Sequence, residues 1–342
     1  MKILFILKKR YYHNTNINSY GLINSATEIA NFLETLPGIN TKIVTVIDGN
    51  CIDKEVHDYR PDIVIIEALW VTGDKLKELI EIRRYHHIKW VVRIHSDIGY
   101  LSAETLALKY INDYIDLHKH NLYLAPNNEE FCEYLSKTLH YKFEYLPNIV
   151  EFDSYNIPPG THDRDIINIG CFGALRILKN HLFQAMCAME AADQLGKTLH
   201  FHVNDDTNKQ ETKLNPVLTN LEELFSRTKH KLVVHPWLQY KEFQELIQKM
   251  DIGLQLSYTE SFNIVTANFI ANDRLIIVSN SIDWMPKILK TSTTNYDKVV
   301  KKIIWLYRNR NSWLLRKIVA YYLYDFNKNS QRVWEMFLWQ LK

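Results

Sequence analysis

Apolar and polar residues fall in blocks along this chain rather than alternating singly. The first block, "KILFIL" at residues 2 to 7, is almost wholly apolar, as expected of a strand covered on both faces in a parallel sheet. The polar stretch from Lys8 to Tyr20 reads as a loop. "GLINSATEIANFLETL" then sets Leu22, Ile23, Ala26, Ile29, Ala30 and Leu33 at helical spacing, and "TKIVTVID" returns as a strand. Further strands are expected at "PDIVIIEAL", "IKWVVRIHSD", "NLYLAP" and "KFEYLPN", with helices at "DKLKELIEIRR", "SAETLALKYINDYI" and "NNEEFCEYLSK" between them. Strands rich in Val and Ile that alternate with helices predict an α/β fold with a doubly wound parallel sheet.

"IVEFDSYNIPPGTHDRD" interrupts this alternation with Pro158, Pro159 and Gly160 among charges, the composition of a linker. A second series follows, with strands at "INIGCFGA", "LHFHVN", "KLVVHPW", "DIGLQLS" and "LIIVSN" and helices between them. The expected organisation is a first domain over 1–150, a linker over 151–165, a second domain over 166–308, and C-terminal helices over 309–342 that pack back on the body. Two such sheets joined by one linker would face each other across a cleft. A chain of 342 residues with 46% hydrophobic residues can bury two cores.

Charge narrows the function little, because 41 basic and 39 acidic residues leave a formal net charge of +2 and no strong overall field. Cys51, Cys132, Cys171 and Cys187 form no CxxC pair, which argues against a disulfide framework or a zinc cluster and predicts buried thiols in a reducing compartment. The apolar run in "MKILFILKKRYY" is too short for a signal-peptide core, and nowhere do ~20 apolar residues run uninterrupted. A cytoplasmic protein with no membrane insertion is therefore expected.

Three segments carry a resemblance to a known family: "LPNIVEFDSY" at 146 to 155, "GCFGALRILKN" at 170 to 180 and "ESFNIVTANFI" at 260 to 270. They resemble the retaining glycosyltransferases of GT-B fold, glycosyltransferase family 4-like, over nearly the whole chain. The resemblance implies two Rossmann-like domains facing a cleft, and transfer of a sugar from a nucleotide-sugar substrate to a hydroxyl acceptor with no cofactor and no essential metal. A fainter likeness to bacteriophage-encoded glycosyltransferases would make hydroxylated bases of phage DNA the acceptor and the host cytoplasm the location. Lys8, Lys9 and Arg10 at the acceptor-side rim would then meet phosphates.

Within that resemblance Glu260 matches the first Glu of a pair separated by seven residues, the one that contacts sugar hydroxyls. Asn268 stands where the family has the second Glu, which holds the donor ribose; an amide can still hydrogen-bond there, without the charge. Arg176 and Lys179 match the basic pair that stabilises the departing diphosphate, and Gly173 allows close backbone approach. Ser261, Phe262 and Asn263 open the following helix, whose N–H groups suit a phosphate. A carboxylate at Glu260 would equally suit a helix N-terminus without any ligand.

His95 ends a predicted strand where parallel sheets place chemistry, and Asp97 lies two residues on, so this pair is a catalytic candidate on the acceptor side. A hydrogen-bonded structural histidine would fit the same position. Gly21 sits at the first strand-to-helix turn, and Trp237 follows His235 and Pro236 where the family's loop meets the base; Trp237 could instead fill a core. "HDRD" at 162 to 165 has a D-x-D spacing but falls in the linker and reads as a solvated turn. Two alternatives stay open: a nucleotide-sugar epimerase of the same fold, and a non-catalytic nucleotide- or glycan-binding protein favoured by Asn268 and by only 10 glycines.

Overall fold

The structure is a computed structural model that describes residues 1–12, 15–17, 20–150, 165–205 and 215–341, with backbone alone for 10–12, 15–17 and 20. The chain divides into two compact units, Met1–Glu151 with Asn327–Lys342, and Phe152–Phe326. Apart from Asp165, the predicted linker and the "HDRD" motif lie outside the described residues.

In the first unit the strands are β1 (Lys2–Lys8), β4 (Asn40–Val46), β5 (Ile63–Glu67), β6 (Lys89–Ile94) and β7 (Leu122–Pro126), and a separate two-stranded ribbon pairs β2 (Arg10–Tyr12) with β3 (Thr15–Ile17). The five-stranded sheet runs β4-β1-β5-β6-β7, all parallel. Because successive side chains of a strand point to opposite faces, Leu4 and Ile6 join one core while Ile3, Phe5 and Leu7 join another. The helix Tyr20–Glu34 and the end of the last helix, with Trp334, Phe337 and Leu338, contribute to the second core. This explains why β1 is apolar at every inner position.

The second unit holds β8 (Ile166–Gly170), β9 (Thr198–Asn204), β10 (Lys231–His235), β11 (Ile252–Gln255), β12 (Ile276–Ser279) and β13 (Lys290–Thr291), in the order β10-β9-β8-β11-β12-β13 and again parallel. Each sheet reverses its strand order at one place, between β1 and β5 in the first and between β8 and β11 in the second. In open parallel sheets ligands bind outside the carboxyl ends of the strands at that switch point. The two reversals therefore mark where to look.

Three sequence expectations need correction. The stretch read as a polar loop carries the β2–β3 ribbon, which lacks the apolar alternation that would have announced it. "KFEYLPN" is not a strand: Glu144 and Leu146 donate to the carbonyls of Leu124 and Pro126, but Pro126 has no N–H to return a bond, so the ladder stays half made. The helix expected at "SAETLALKYINDYI" begins only at Ala107 and runs to Asp116, because a separate short helix, Ile98–Leu101, precedes it and Ala103 and Glu104 bond three residues back, to Tyr100 and Leu101, in a tighter turn.

Cys132, Cys171 and Cys187 are buried free thiols, raised by desolvation, to about 11 for Cys132 and about 12 for Cys187; Cys51 is free and half-buried. Among the described residues no helix is long and apolar enough to cross a membrane.

Packing at the second switch point leaves no room for a side chain at Gly170, where a Cβ would lie 2.6 Å from Phe172 and 2.9 Å from Phe269. Gly170→Ala should cost about 1–3 kcal/mol through overpacking. Guanidinium unfolding checks this by a lowered midpoint with unchanged slope, and an unshifted midpoint would mean that the aromatic cluster yields freely.

Candidate functional site

After β8 the chain passes Cys171, Phe172 and Gly173 into a 3₁₀ turn, Ile177–Lys179, and Asn180 adopts a left-handed conformation (φ 60°, ψ 31°) to start the helix His181–Gln194. After β11 a second loop runs from Leu256 to Asn263, which is also left-handed (φ 65°, ψ 81°) and caps the helix Ile264–Ala271. These two loops flank the switch point. They are joined by a backbone bond from Tyr258 N–H to the Leu178 carbonyl, 2.9 Å.

Buried amides complete the join. Gln184 accepts the Leu256 N–H at 2.9 Å and donates to the Lys179 carbonyl at 2.8 Å, while Asn180 donates to the Leu256 carbonyl at 3.2 Å and the Thr293 carbonyl at 3.0 Å. Gln255 donates to the Phe172 carbonyl and accepts from Asn263, each at 2.8 Å. Loop backbone beyond a sheet has lost its ladder partners, and an unpaired buried group costs about 1–3 kcal/mol, so these amides fix the loops as well as satisfy them.

The consequence is a partly buried ion pair. Lys179 Nζ donates to Glu260 Oε1, with the lysine side chain 17% exposed and the carboxylate 6%. Two candidates from separate segments of the sequence thus meet. The alternative role of Glu260 as a helix cap is not realised, because Asn263 takes it: the Asn263 side chain accepts from the Thr266 N–H at 2.8 Å and the Thr266 hydroxyl at 2.9 Å. Nor is Lys179 a solvated cation, since its removal would leave a buried carboxylate without its partner.

The other candidates of this unit are more dispersed. Arg176 is exposed, and Gly173 (φ 111°) donates its N–H to Asn204 Oδ1 at 3.2 Å in an otherwise open position. Phe262 is 3% exposed and stacks on Trp284 and Phe326, whereas Ser261 is half-buried. Asn268, 3% exposed, accepts from Gln244 at 3.3 Å, and its carbonyl accepts from Asn272 at 2.8 Å. Trp237 is half-buried with an indole Nε1 that makes no hydrogen bond. Beside that loop His202 and His235 stack with ring centres 5.2 Å apart and are joined Nδ1 to Nε2 at 2.9 Å, and His202 Nε2 meets Asn168 Oδ1 at 3.1 Å. Burial, then the neighbouring His235, pushes His202 down to about 3.

At the first unit's switch point β5 ends in Glu67, which is wholly buried. Arg93, also wholly buried, donates Nη1 to both Glu67 oxygens at 3.0 Å and Nη2 to Asn148 Oδ1 at 2.8 Å and the Leu146 carbonyl at 3.2 Å. His95 binds the same carboxylate, Nε2 to Oε2 at 2.5 Å. Burial opposes ionisation of Glu67, but Arg93 and His95 outweigh it and hold the carboxyl below its ordinary range. Burial also pushes His95 below its ordinary value against the pull of Glu67. Asp97 precedes the short helix Ile98–Leu101, its carbonyl accepting from Tyr100 and Leu101, and Gly21 is exposed with open space around it.

Glu67 and Arg93 escaped the sequence reading. Their signal was a charged residue closing an otherwise apolar strand, in "DIVIIE" and in "KWVVRIH". Of the basic triplet, Lys8 is exposed, Lys9 half-buried, and the Arg10 side chain lies outside the described residues. Among the described residues no three His, Cys, Asp or Glu side chains converge as a metal site would require.

Comparison with solved structures adds one finding. Sucrose-phosphate synthase from Thermosynechococcus elongatus is similar at a TM-score of 0.72 and 10% identity, over 99% of this chain and 98% of that one. A trehalose-6-phosphate protein from E. coli bound with UDP-2-fluoro glucose is similar at 0.66 and 10% identity, over 99% and 98%. The apo lipopolysaccharide outer core galactosyltransferase WaaB gives 0.59 and 13% identity, over 99% of each chain. No protein-family model matches the sequence, and no curated protein does. At such identities the likeness is one of fold, and with the two parallel sheets it makes this an α/β protein of GT-B architecture.

The stacked histidines give the second unit an acid limit. His202 is neutral when folded and titrates near 6.5 when unfolded, so the unfolded chain binds the extra proton and stability is lost as pH falls from about 6.5 toward 3. Each such group contributes a slope of about 1.4 kcal/mol per pH unit. In His202→Asn the acid limb of the stability profile should flatten by about that amount, and an unchanged limb would show that other groups set it.

Proposed function

We propose that the chain is a glycosyltransferase that moves a sugar from a nucleotide-sugar donor to a hydroxyl acceptor, with the donor held at the carboxyl edge of the second sheet. The observation that carries this is the partly buried Lys179–Glu260 pair, with its carboxylate 6% exposed, at the β8–β11 switch point. A buried carboxylate such as Glu260 is rare without a use or a partner, and charge pairs in such a location are candidates for chemistry. The fold shared with three sugar-handling proteins supports the same reaction class.

The roles follow from the chemistry of the pair. Lys179, whose ammonium donates to Glu260, would meet the negative charge that builds on a departing diphosphate. Glu260 gives one oxygen to Lys179 and has a second with which to accept a hydroxyl of the sugar. Lysine brings the positive charge that a divalent ion supplies in other transferases, which supports metal-independent transfer. Retention of anomeric configuration is proposed on the sequence resemblance around Glu260. The E. coli structure bound with UDP-2-fluoro glucose makes a UDP-hexose the first donor to try.

The test separates sugar contact from diphosphate contact. In Glu260→Gln a charge-assisted bond to the sugar is lost, so turnover of the donor should fall about ten- to hundredfold while UDP affinity stays within about threefold. Calorimetry with UDP and mass spectrometry of products in the presence of EDTA, with sugars, lipids and hydroxymethylated oligonucleotides as acceptors, supply both readings. Equal losses of UDP affinity and turnover together with a lowered melting temperature would reduce Glu260 to a structural role. Release of an isomerised donor without any acceptor would instead identify an epimerase.

A further inference from the structure

Beside the Lys179–Glu260 pair, and not lined by either residue, a pocket of about 540 Å3 opens beyond the carboxyl ends of β11, β12 and β13. Its lining includes three lysines, Lys290, Lys298 and Lys302, and a set of hydroxyls that includes Ser257, Ser279 and Ser281. No carboxylate lines it. Cations and hydroxyl donors without a compensating anion form an environment complementary to negative charge.

Ser257 supplies the independent sign of a ligand. It is 1% exposed, it lines the pocket, and its hydroxyl makes no hydrogen bond. A buried orphan hydroxyl costs about 1–3 kcal/mol, so its presence needs a partner from outside the chain. Ser279 and Ser281 share a bond between their hydroxyls at 2.6 Å, and the Ser281 hydroxyl also reaches the Ser257 carbonyl at 3.4 Å, so this chain of hydroxyls is anchored beside Ser257.

The lysines are held in place rather than neutralised. Lys290 donates to the Asp283 carbonyl at 2.8 Å and Lys302 to the Ile288 carbonyl at 3.0 Å, so each ammonium is anchored by a neutral acceptor, with the Asp283 carboxylate offsetting part of the charge on Lys290. Burial pushes both below their ordinary values, the cost a bound anion would offset. The helix Tyr296–Arg308 starts next to the pocket, with its N-cap at Asn295 and Lys298 in its first turn, and adds the positive end of its dipole.

We propose that this pocket is a second anion site, distinct from the diphosphate site at Lys179, and that it takes a small phosphomonoester. Its volume exceeds what inorganic phosphate fills, and the additional Ser and Thr hydroxyls of its wall suit a short polyhydroxylated body attached to the phosphate. Lys298 is exposed and Lys302 half-buried, so the charged group is expected at the mouth by Lys298 with Ser257 on its inner side.

Titration calorimetry of the full chain with glycerol 3-phosphate, and separately with inorganic phosphate, tests the proposal. Glycerol 3-phosphate should bind more tightly than inorganic phosphate, binding should persist at saturating UDP, and both Lys298→Ala and Ser257→Val should weaken it at least tenfold. Lys298→Ala removes an exposed side chain and keeps the test valid if Ser257→Val fails to fold. Absence of binding, displacement of the phosphomonoester by UDP, or unchanged affinity in Lys298→Ala would each overturn the assignment.

Discussion

At the carboxyl edge of a parallel sheet the chain leaves the ladder, and every loop N–H and carbonyl that stays buried there needs a new partner. This requirement governs both units. In the second it is met by side-chain amides, with Gln184, Asn180 and Gln255 bonding across between the two loop regions and Asn263 bracing Gln255 within its own loop. In the first it is met by a charge, since Arg93 reaches the Leu146 carbonyl and the Asn148 side chain while it neutralises Glu67. Trp334 donates to the Pro147 carbonyl at 2.9 Å and Asn327 brackets Val150 through its N–H and carbonyl, so the end of the last helix satisfies the same segment.

Holding the loops by buried amides has a chemical consequence. Lys179 and Glu260 are fixed against each other by bonds to their own loop backbones, so the pair is set before any ligand arrives and little ordering remains to be done on binding. The ion pair is a poor source of stability on its own terms, because desolvation of two charges offsets much of their attraction. Its location at the strand-order reversal, combined with its rigidity, is what makes it useful to a charged substrate.

The sequence announced the sheets because strands covered on both faces must be apolar throughout, as in β1 and β5. It announced Lys179 and Glu260 as residue types in resembling segments, but not their contact, since 81 positions separate them and only the adjacency of β8 and β11 brings their loops together. The Glu67–Arg93 pair was hidden for a related reason: the two are direct register partners on β5 and β6, and register cannot be read from either strand alone. The half-made ladder at Glu144 depended on a proline in the neighbouring strand. The β2–β3 ribbon had no buried face to impose a pattern.

The central claim is that Lys179, set against Glu260, holds the diphosphate end of a nucleotide sugar, and a crystal structure of the chain soaked with UDP examines it most directly. The account predicts a diphosphate oxygen within hydrogen-bonding reach of Lys179 Nζ, about 2.7–3.2 Å, with Glu260 still alongside. UDP ordered at the Glu67–Arg93 edge of the first unit, or no ordered nucleotide at a saturating concentration, would contradict it.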